Sequence, residues 1–461
     1  MNRRAGKSFR VLVLLVTLLV LVVPVSAAPA KGTIGVNVLL NTDVSAHILA
    51  KLGAYGKVRD VVCEIDVVTM QAKADKLPAI RALPFVAAAS PDAERKGAPV
   101  DTVAVIDFSN GLSTWDLDAI NVTDFGFNNR QVPYDGSGVY VAVLDTGLLD
   151  SWRQYFPQER ISVEYAKAFG GGGGEVGWVS EQPNKWTHDQ DSHGTHVTST
   201  ILGYSLNGTS VNGVAPMATV IPVKVLNQNG SGWSSVVARG IVYVTDLKKG
   251  PLAGHPVVIN MSLGGPVQEP VEKAAVDYAI ANGVIVVASA GNEGDSGMDY
   301  PGAYTPVISA ASSGWIGEWY PPGNRSWWYN LNVSEPTNPA QFYISDFSSR
   351  QLAGQDLDLA APGSWVVGPY QTNSGQLSYY FLGGTSMSSP HVAGTVALMA
   401  QKHNALTPGQ AESILTASAI YLAPGCREVY QPDGSAQNIC WGANATGAGL
   451  LDAAAALAAT P

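Results

Sequence analysis

The stretch Val139-Tyr140-Val141-Ala142-Val143-Leu144-Asp145-Thr146-Gly147 decides the fold. Six apolar residues without polar alternation read as a strand buried on both faces, as at the centre of a parallel sheet. The run stops at a carboxylate followed by Thr and Gly. Such a tripeptide forms turns, but α/β folds also gather their sites beyond the C-terminal ends of parallel strands. Asp145 is therefore a candidate site residue.

The chain beyond it alternates. Residues 218–226 read as a strand, 234–247 as an amphipathic helix, 257–261 as a strand and 270–282 as a helix; 284–288 and 307–311 are further strands. Strands separated by helices of this length imply βαβ units and an α/β fold with a mostly parallel sheet covered on both faces. At 461 residues the chain is long enough for one large core and an additional small domain.

That small domain is expected at residues 33–92, as an α+β unit. Residues 34–40 read as a strand, 45–52 as a helix, 58–68 as a strand, 72–83 as a helix and 85–89 as a last short strand. The polar run from Ser90 to Gly97 suits a linker, and residues 93–112 are read as a linker and processing region. Ahead of the domain, Arg3, Arg4, Lys7 and Arg10 precede an apolar run over 11–23 and then Ser26-Ala27-Ala28. A basic head, short apolar body and small-residue site read as a secretory signal peptide over residues 1–28. The run is short for a membrane span, so an exported protein, free of the membrane after signal removal, is expected.

Composition is globular, with 46% hydrophobic and 14% charged residues and a formal net charge of −10. That charge disfavours nucleic acid or an anionic membrane surface as partner. Cys426 and Cys440 flank the turn-prone Gln431-Pro432-Asp433-Gly434, which predicts a disulfide-closed hairpin. Cys63 is the odd thiol. Residues 313–343 interrupt the alternation with Trp315, Trp319, Trp327, Trp328, Tyr320 and Tyr329. They read as an inserted loop whose aromatics either build its own core or wall a groove.

Near the C-terminal end, Gly383-Gly384-Thr385-Ser386-Met387-Ser388-Ser389-Pro390 leads into the apolar run 392–399. With Pro390 in the first turn of a helix, Ser386 sits where free N–H groups and the positive end of the dipole face the loop. A serine there is a helix cap or a nucleophile. Asp191-Ser192-His193-Gly194-Thr195-His196 supplies a base in His193, with His196 read as a packed residue. A metal reading of the histidines and of Asp189 and Asp191 is weak, since there is no His-Glu-x-x-His. Ala290-Gly291-Asn292 offers an amide on a Gly-flanked loop. Acyl transfer needs these parts: a hydroxyl nucleophile, a base to take its proton, an acid to orient the base, and a donor for the oxyanion. The Gly-x-Ser-x-Gly elbow of lipases and esterases is missing around Ser386.

The blocks Asp145-Thr146-Gly147, His193-Gly194-Thr195-His196, Gly291-Asn292 and Gly384-Thr385-Ser386-Met387-Ser388-Ser389-Pro390 together resemble the signatures of subtilisin-like serine proteases. The resemblance covers about residues 113–458 and implies a three-layer fold, a catalytic triad of Asp145, His193 and Ser386, and Asn292 as oxyanion donor. It implies substrate-binding edges at Ser262-Leu263-Gly264 and Gly230-Ser231-Gly232, protein or peptide substrates, and a monomeric, self-processing secreted enzyme. The 33–92 unit then resembles an inhibitor-type propeptide that acts intramolecularly. No cofactor is expected for the chemistry. The resemblance also implies a structural calcium at the Asn207 loop, although Gln154 stands where the family's companion Asp would be. The loop after Asn292 is short and carries Glu293, Asp295 and Asp299, which favours basic residues before the cleaved bond. The insertion is expected to touch the leaving-group side. The alternative is a catalytically inactive binding protein on the same scaffold, which would be expected to lack one of the four groups.

Overall fold

A computed structural model describes residues 32–105, 115–124, 129–169, 179–320, 325–326 and 333–461. The signal segment, the Gly-rich loop at 170–174, and Trp327, Trp328 and Tyr329 lie outside the described residues. Among the described residues, no helix is long and apolar enough to cross a membrane.

The Tyr140–Asp145 strand lies inside a nine-stranded sheet, between Thr219–Lys224 and Val257–Met261, parallel to both. Beyond Val257–Met261 the sheet continues in parallel through Ile285–Ser289 and Ile308–Trp315, and Leu359–Pro362 adds to the last of these. Short antiparallel strands close the edges, Phe342–Ile344 at one and Glu181–Gln182 at the other. Successive side chains of a strand point to opposite faces. Val141 and Val143 accordingly join the apolar cluster that holds helices His193–Leu202 and Thr385–Lys402, while Ala142 and Leu144 join the one beneath Ser234–Lys249 and Pro270–Ala281. The fold is three-layer α/β, as expected. The chain runs from the Tyr140–Asp145 strand first to its neighbour on one side and then to the other, so a crevice opens at its C-terminal end.

Residues 33–91 form a separate four-stranded antiparallel sheet in the order Gly56–Val62, Val67–Lys73, Thr33–Leu40, Val86–Pro91, with helices Ala46–Gly53 and Leu77–Arg81. The single strand expected at 58–68 is in fact a hairpin. Asp66 takes the left-handed conformation at φ 52° between its two halves, and a turn of that kind carries no strong signature in Cys-Glu-Ile-Asp. The helix expected at 72–83 is shorter, because the strand persists to Lys73. The unit sits on the larger α/β body. Val62 and Val67 join the core beneath helices Ser234–Lys249 and Pro270–Ala281, and Asp92 caps the first of these by accepting from Ser235 N at 3.0 Å and Ser235 Oγ at 2.6 Å.

Cys426 and Cys440 are disulfide-bonded across the antiparallel pair Gly425–Tyr430 and Ala436–Trp441, and Cys63 is free and exposed. The described aromatics of the insertion serve the core. Trp315, Trp319, Phe342 and Tyr343 are buried, and the Trp319 ring lies 5.4 Å from Trp365 and 5.1 Å from Phe381.

Candidate active site

The crevice beyond the Tyr140–Asp145 strand gathers the four singled-out residues. Asp145 Oδ1 accepts from His193 Nδ1 at 2.8 Å and from Thr146 N at 2.7 Å, with both side chains fully buried. His193 opens its helix, and Asp189 fixes that opening by accepting from Ser192 N at 2.7 Å and Thr195 Oγ1 at 3.0 Å. Gly194 is needed for the close approach, since a methyl group there would lie 2.4 Å from the Gly147 carbonyl oxygen. Burial opposes protonation of His193, but Asp145, helped by Asp191 and Asp189, outweighs it and raises the imidazole above its ordinary value. Its Nε2 is buried without a hydrogen-bond partner. His196 is packed, as expected, with Nε2 3.2 Å from the Val366 carbonyl, and burial lowers its pKa to about 3.

Ser386 is the second residue of the buried helix Thr385–Lys402. The helix starts earlier than expected, so Pro390 lies inside it rather than in its first turn. A proline there leaves the carbonyl four residues back without its helical donor. That carbonyl belongs to Ser386, and Ser262 Oγ donates to it at 2.7 Å. In return Ser386 Oγ donates to the Ser262 carbonyl at 3.2 Å. Asn292 Oδ1 accepts from Thr385 N at 2.9 Å and Thr385 Oγ1 at 3.0 Å, so its Nδ2 is the end left to donate.

The two stretches expected as substrate edges pair with another part of this same chain. Strand Glu94–Lys96 pairs antiparallel with Ser231–Trp233, placing Arg95 opposite Gly232. Lys96 exchanges both backbone bonds with Gly264, at 2.8 and 2.9 Å, and Gly97 N donates to the Gly230 carbonyl at 2.9 Å. A methyl group on Gly97 would lie 3.2 Å from His193 Cε1; one on Gly384 would lie 3.7 Å from Pro99 Cα and 3.8 Å from Asn292 Nδ2. Beyond, Val100 N donates to the Gly383 carbonyl at 2.7 Å, and Asp101–Ala104 pairs antiparallel with Tyr379–Gly383. Residues 93–112 are read from the sequence as a linker and processing region. As far as they are described they form an extended segment threaded through the crevice.

Of the acidic residues after Asn292, Asp299 faces the Gly264 edge, where a methyl on Gly264 would meet its Cβ at 2.6 Å. Its Oδ1 is buried without a partner, and burial, then Glu293, pushes the carboxyl up to about 8. Asp295 is elsewhere, beside Arg350. At the loop where the resemblance implies calcium, Asn207 sits in a tight turn at φ 48° and the Ser205 carbonyl accepts from Tyr379 Oη. Among the described residues no three His, Cys, Asp or Glu side chains gather as a metal site.

The profile of the subtilase family, peptidase S8, matches residues 136–448. The chain belongs to the subtilase family. That places it among serine-type endopeptidases. It is 34% identical to subtilisin DY of Bacillus licheniformis over 293 residues, covering 63% of this chain and 86% of that one. It is 35% identical to subtilisin E of Bacillus subtilis (strain 168), spanning 62% of that protein. Among solved structures, fervidolysin from Fervidobacterium pennivorans, a keratinolytic enzyme related to subtilisin, superposes with a TM-score of 0.64. That likeness covers 94% of this chain and 62% of that one at 23% identity, and it shows the fold. In this subtilase, sequence reading did not single out Arg95 or Glu272. Arg95 stands in a polar run that looks solvated, and its partner lies 177 positions away.

Proposed function

We propose that the chain is a secreted precursor that hydrolyses peptide bonds through Ser386, His193 and Asp145, with Asn292 donating to the oxyanion. The observation that carries the reading is the extended segment 94–100, bound as a strand between both edges of the crevice, with Gly97 beside the His193 ring and Pro99, like Asn292, beside Gly384. A substrate adding to exposed strand edges gains affinity from backbone bonds and preference from pockets.

Ser386 Oγ attacks the peptide carbonyl while His193 Nε2 takes its proton. Asp145 holds the imidazole with Nδ1 protonated and stabilises the imidazolium. The oxyanion is met by Asn292 Nδ2 and the N–H of Ser386 at the helix start. His193 then protonates the leaving nitrogen, and water repeats the sequence on the acyl-enzyme.

In cis, the backbone bonds of Lys96, Gly97 and Val100 bracket the Ala98–Pro99 bond, which supports reading it as the one in register with Ser386. The residue before a proline favours extended backbone, which suits Ala98 to the strand. The leaving group would be the ring nitrogen of Pro99, a hindered secondary amine, so the segment acts as an inhibitor before it acts as a substrate. The 33–92 unit, released with it, would be the propeptide.

The test is expression of the full chain beside Ser386→Ala. Wild type is expected in the culture medium, shortened at its N-terminus and active on casein; the variant stays full length and inactive. Absence of both processing and hydrolysis in the wild type overturns the reading.

A further inference from the structure

The segment in the crevice carries a buried ion pair that the reaction itself does not need. Arg95 and Glu272 are both fully buried. The guanidinium is bonded at two points, Nε to Oε1 at 2.8 Å and Nη2 to Oε2 at 2.7 Å. Its remaining donors reach the carbonyls of Val267 and Glu94, each at 3.0 Å. Gly265 makes the room, since a methyl there would lie 3.1 Å from Arg95 Nη1. With the bond after Ala98 in register, Arg95 is the fourth residue before it. Lys96, the third, has a side chain 67% exposed. The cleft thus reads one position and leaves its neighbour to solvent.

Glu272 stands in the first turn of the Pro270–Ala281 helix, and among the described residues its carboxylate bonds no side chain except Arg95. When the segment departs, that carboxylate is left without its partner. A planar fork matches a carboxylate at two points where an ammonium can meet it only as a point charge. A substrate lacking the cation would cover an unpaired charge, which is costly. We propose that Glu272 makes this subtilase select arginine at the fourth residue before the cleaved bond, in substrates as in its own segment. The inference rests on the crevice being the substrate cleft.

The test uses the wild-type enzyme as purified after expression of the full chain, once its own segment has been released, and internally quenched peptides identical except for Arg, Lys, Ala or Glu at that position, with the cleaved bond located by mass spectrometry. The Arg peptide is expected to exceed the Ala peptide by roughly 30-fold or more in kcat/KM, with Lys between them and Glu poorest. Glu272→Gln should bring the Arg/Ala ratio to within about threefold, the range left once the charged partner is gone. Equal use of Arg and Ala by the wild type, or an undiminished ratio in the variant, overturns the proposal. If Glu272→Gln does not accumulate, Glu272→Asp, which retracts the carboxylate, must lower the ratio. If the wild type cleaves no peptide, the protease reading fails. The pocket is then judged by hydrogen exchange in full-length Ser386→Ala. Arg95→Ala should speed exchange of the Lys96 and Gly97 amides by about 30-fold or more, and unchanged exchange overturns it.

Discussion

The two halves of the threaded segment are held in different ways. Upstream of Ala98, the chain is clamped between two strands, Ser231–Trp233 and the Gly264 edge, and anchored by a buried guanidinium. Downstream of Pro99, it lies along one strand, Tyr379–Gly383, and Val100 is 48% exposed. Backbone pairing is common to both and indifferent to side chains; the buried charge is confined to one. The upstream half therefore carries discrimination, while the downstream half carries alignment of the leaving group.

The first way to break this contrast is to remove the chemistry that both halves serve. Ser386→Ala should lower kcat by about 10⁶, a figure known from subtilisin itself rather than from the present geometry, and leave the segment uncut in electrophoresis. If the variant still matures when purified alone, the two halves do not flank the reacting bond. Asn292→Ala should cost about 10²–10³ in kcat, again a magnitude from subtilisin, with KM little moved in steady-state assays. A change mainly in KM would place Asn292 among binding residues.

Smaller effects sharpen the contrast. In the Ser386→Ala background, Arg95→Ala should destabilise the folded precursor by about 3–5 kcal/mol in denaturant titrations, because it strands Glu272. Asp299 gives an effect of about one charge interaction. Its carboxyl, raised to about 8, is ionised only above that value. Cleavage after Lys relative to Ala should therefore rise about tenfold as pH passes upward through 8; a flat ratio places Asp299 outside that pocket. Smallest is Val100→Pro, which removes the single bond to Gly383 and should cost about 1 kcal/mol. A loss equal to that of Arg95→Ala would erase the distinction between the halves.

Much of this was legible in the chain. Uninterrupted apolar runs such as 139–144 and 284–288 can be satisfied only on both faces of a parallel sheet, and Asp145, His193, Asn292 and Ser386 stand at turns whose glycines mark close approaches. What stayed hidden depended on partners far away in sequence. Glu94-Arg95-Lys96 has the polarity of a linker, and only the pocket around Glu272 turns its middle residue inward. Trp315 and Trp319 could equally have lined a groove, and the rings available to pack on them decided for the core. Pro390 was placed in a first turn because a missing donor is cheapest there, but Ser262 offsets the loss deeper in the helix.

That last exchange has a mechanical consequence. Because the Ser262 hydroxyl holds the Ser386 carbonyl while the Ser262 carbonyl holds the Ser386 hydroxyl, the wall along which a peptide is laid and the atom that strikes it are fastened at two points. The hydroxyl bond is given up when Ser386 turns its proton to His193, and the bond from Ser262 Oγ to the Ser386 carbonyl is the one that still ties wall and nucleophile together during the attack. Pro390→Ala would give the helix back its missing donor, set it competing for the same carbonyl, and loosen that fastening by adding a hydrogen bond.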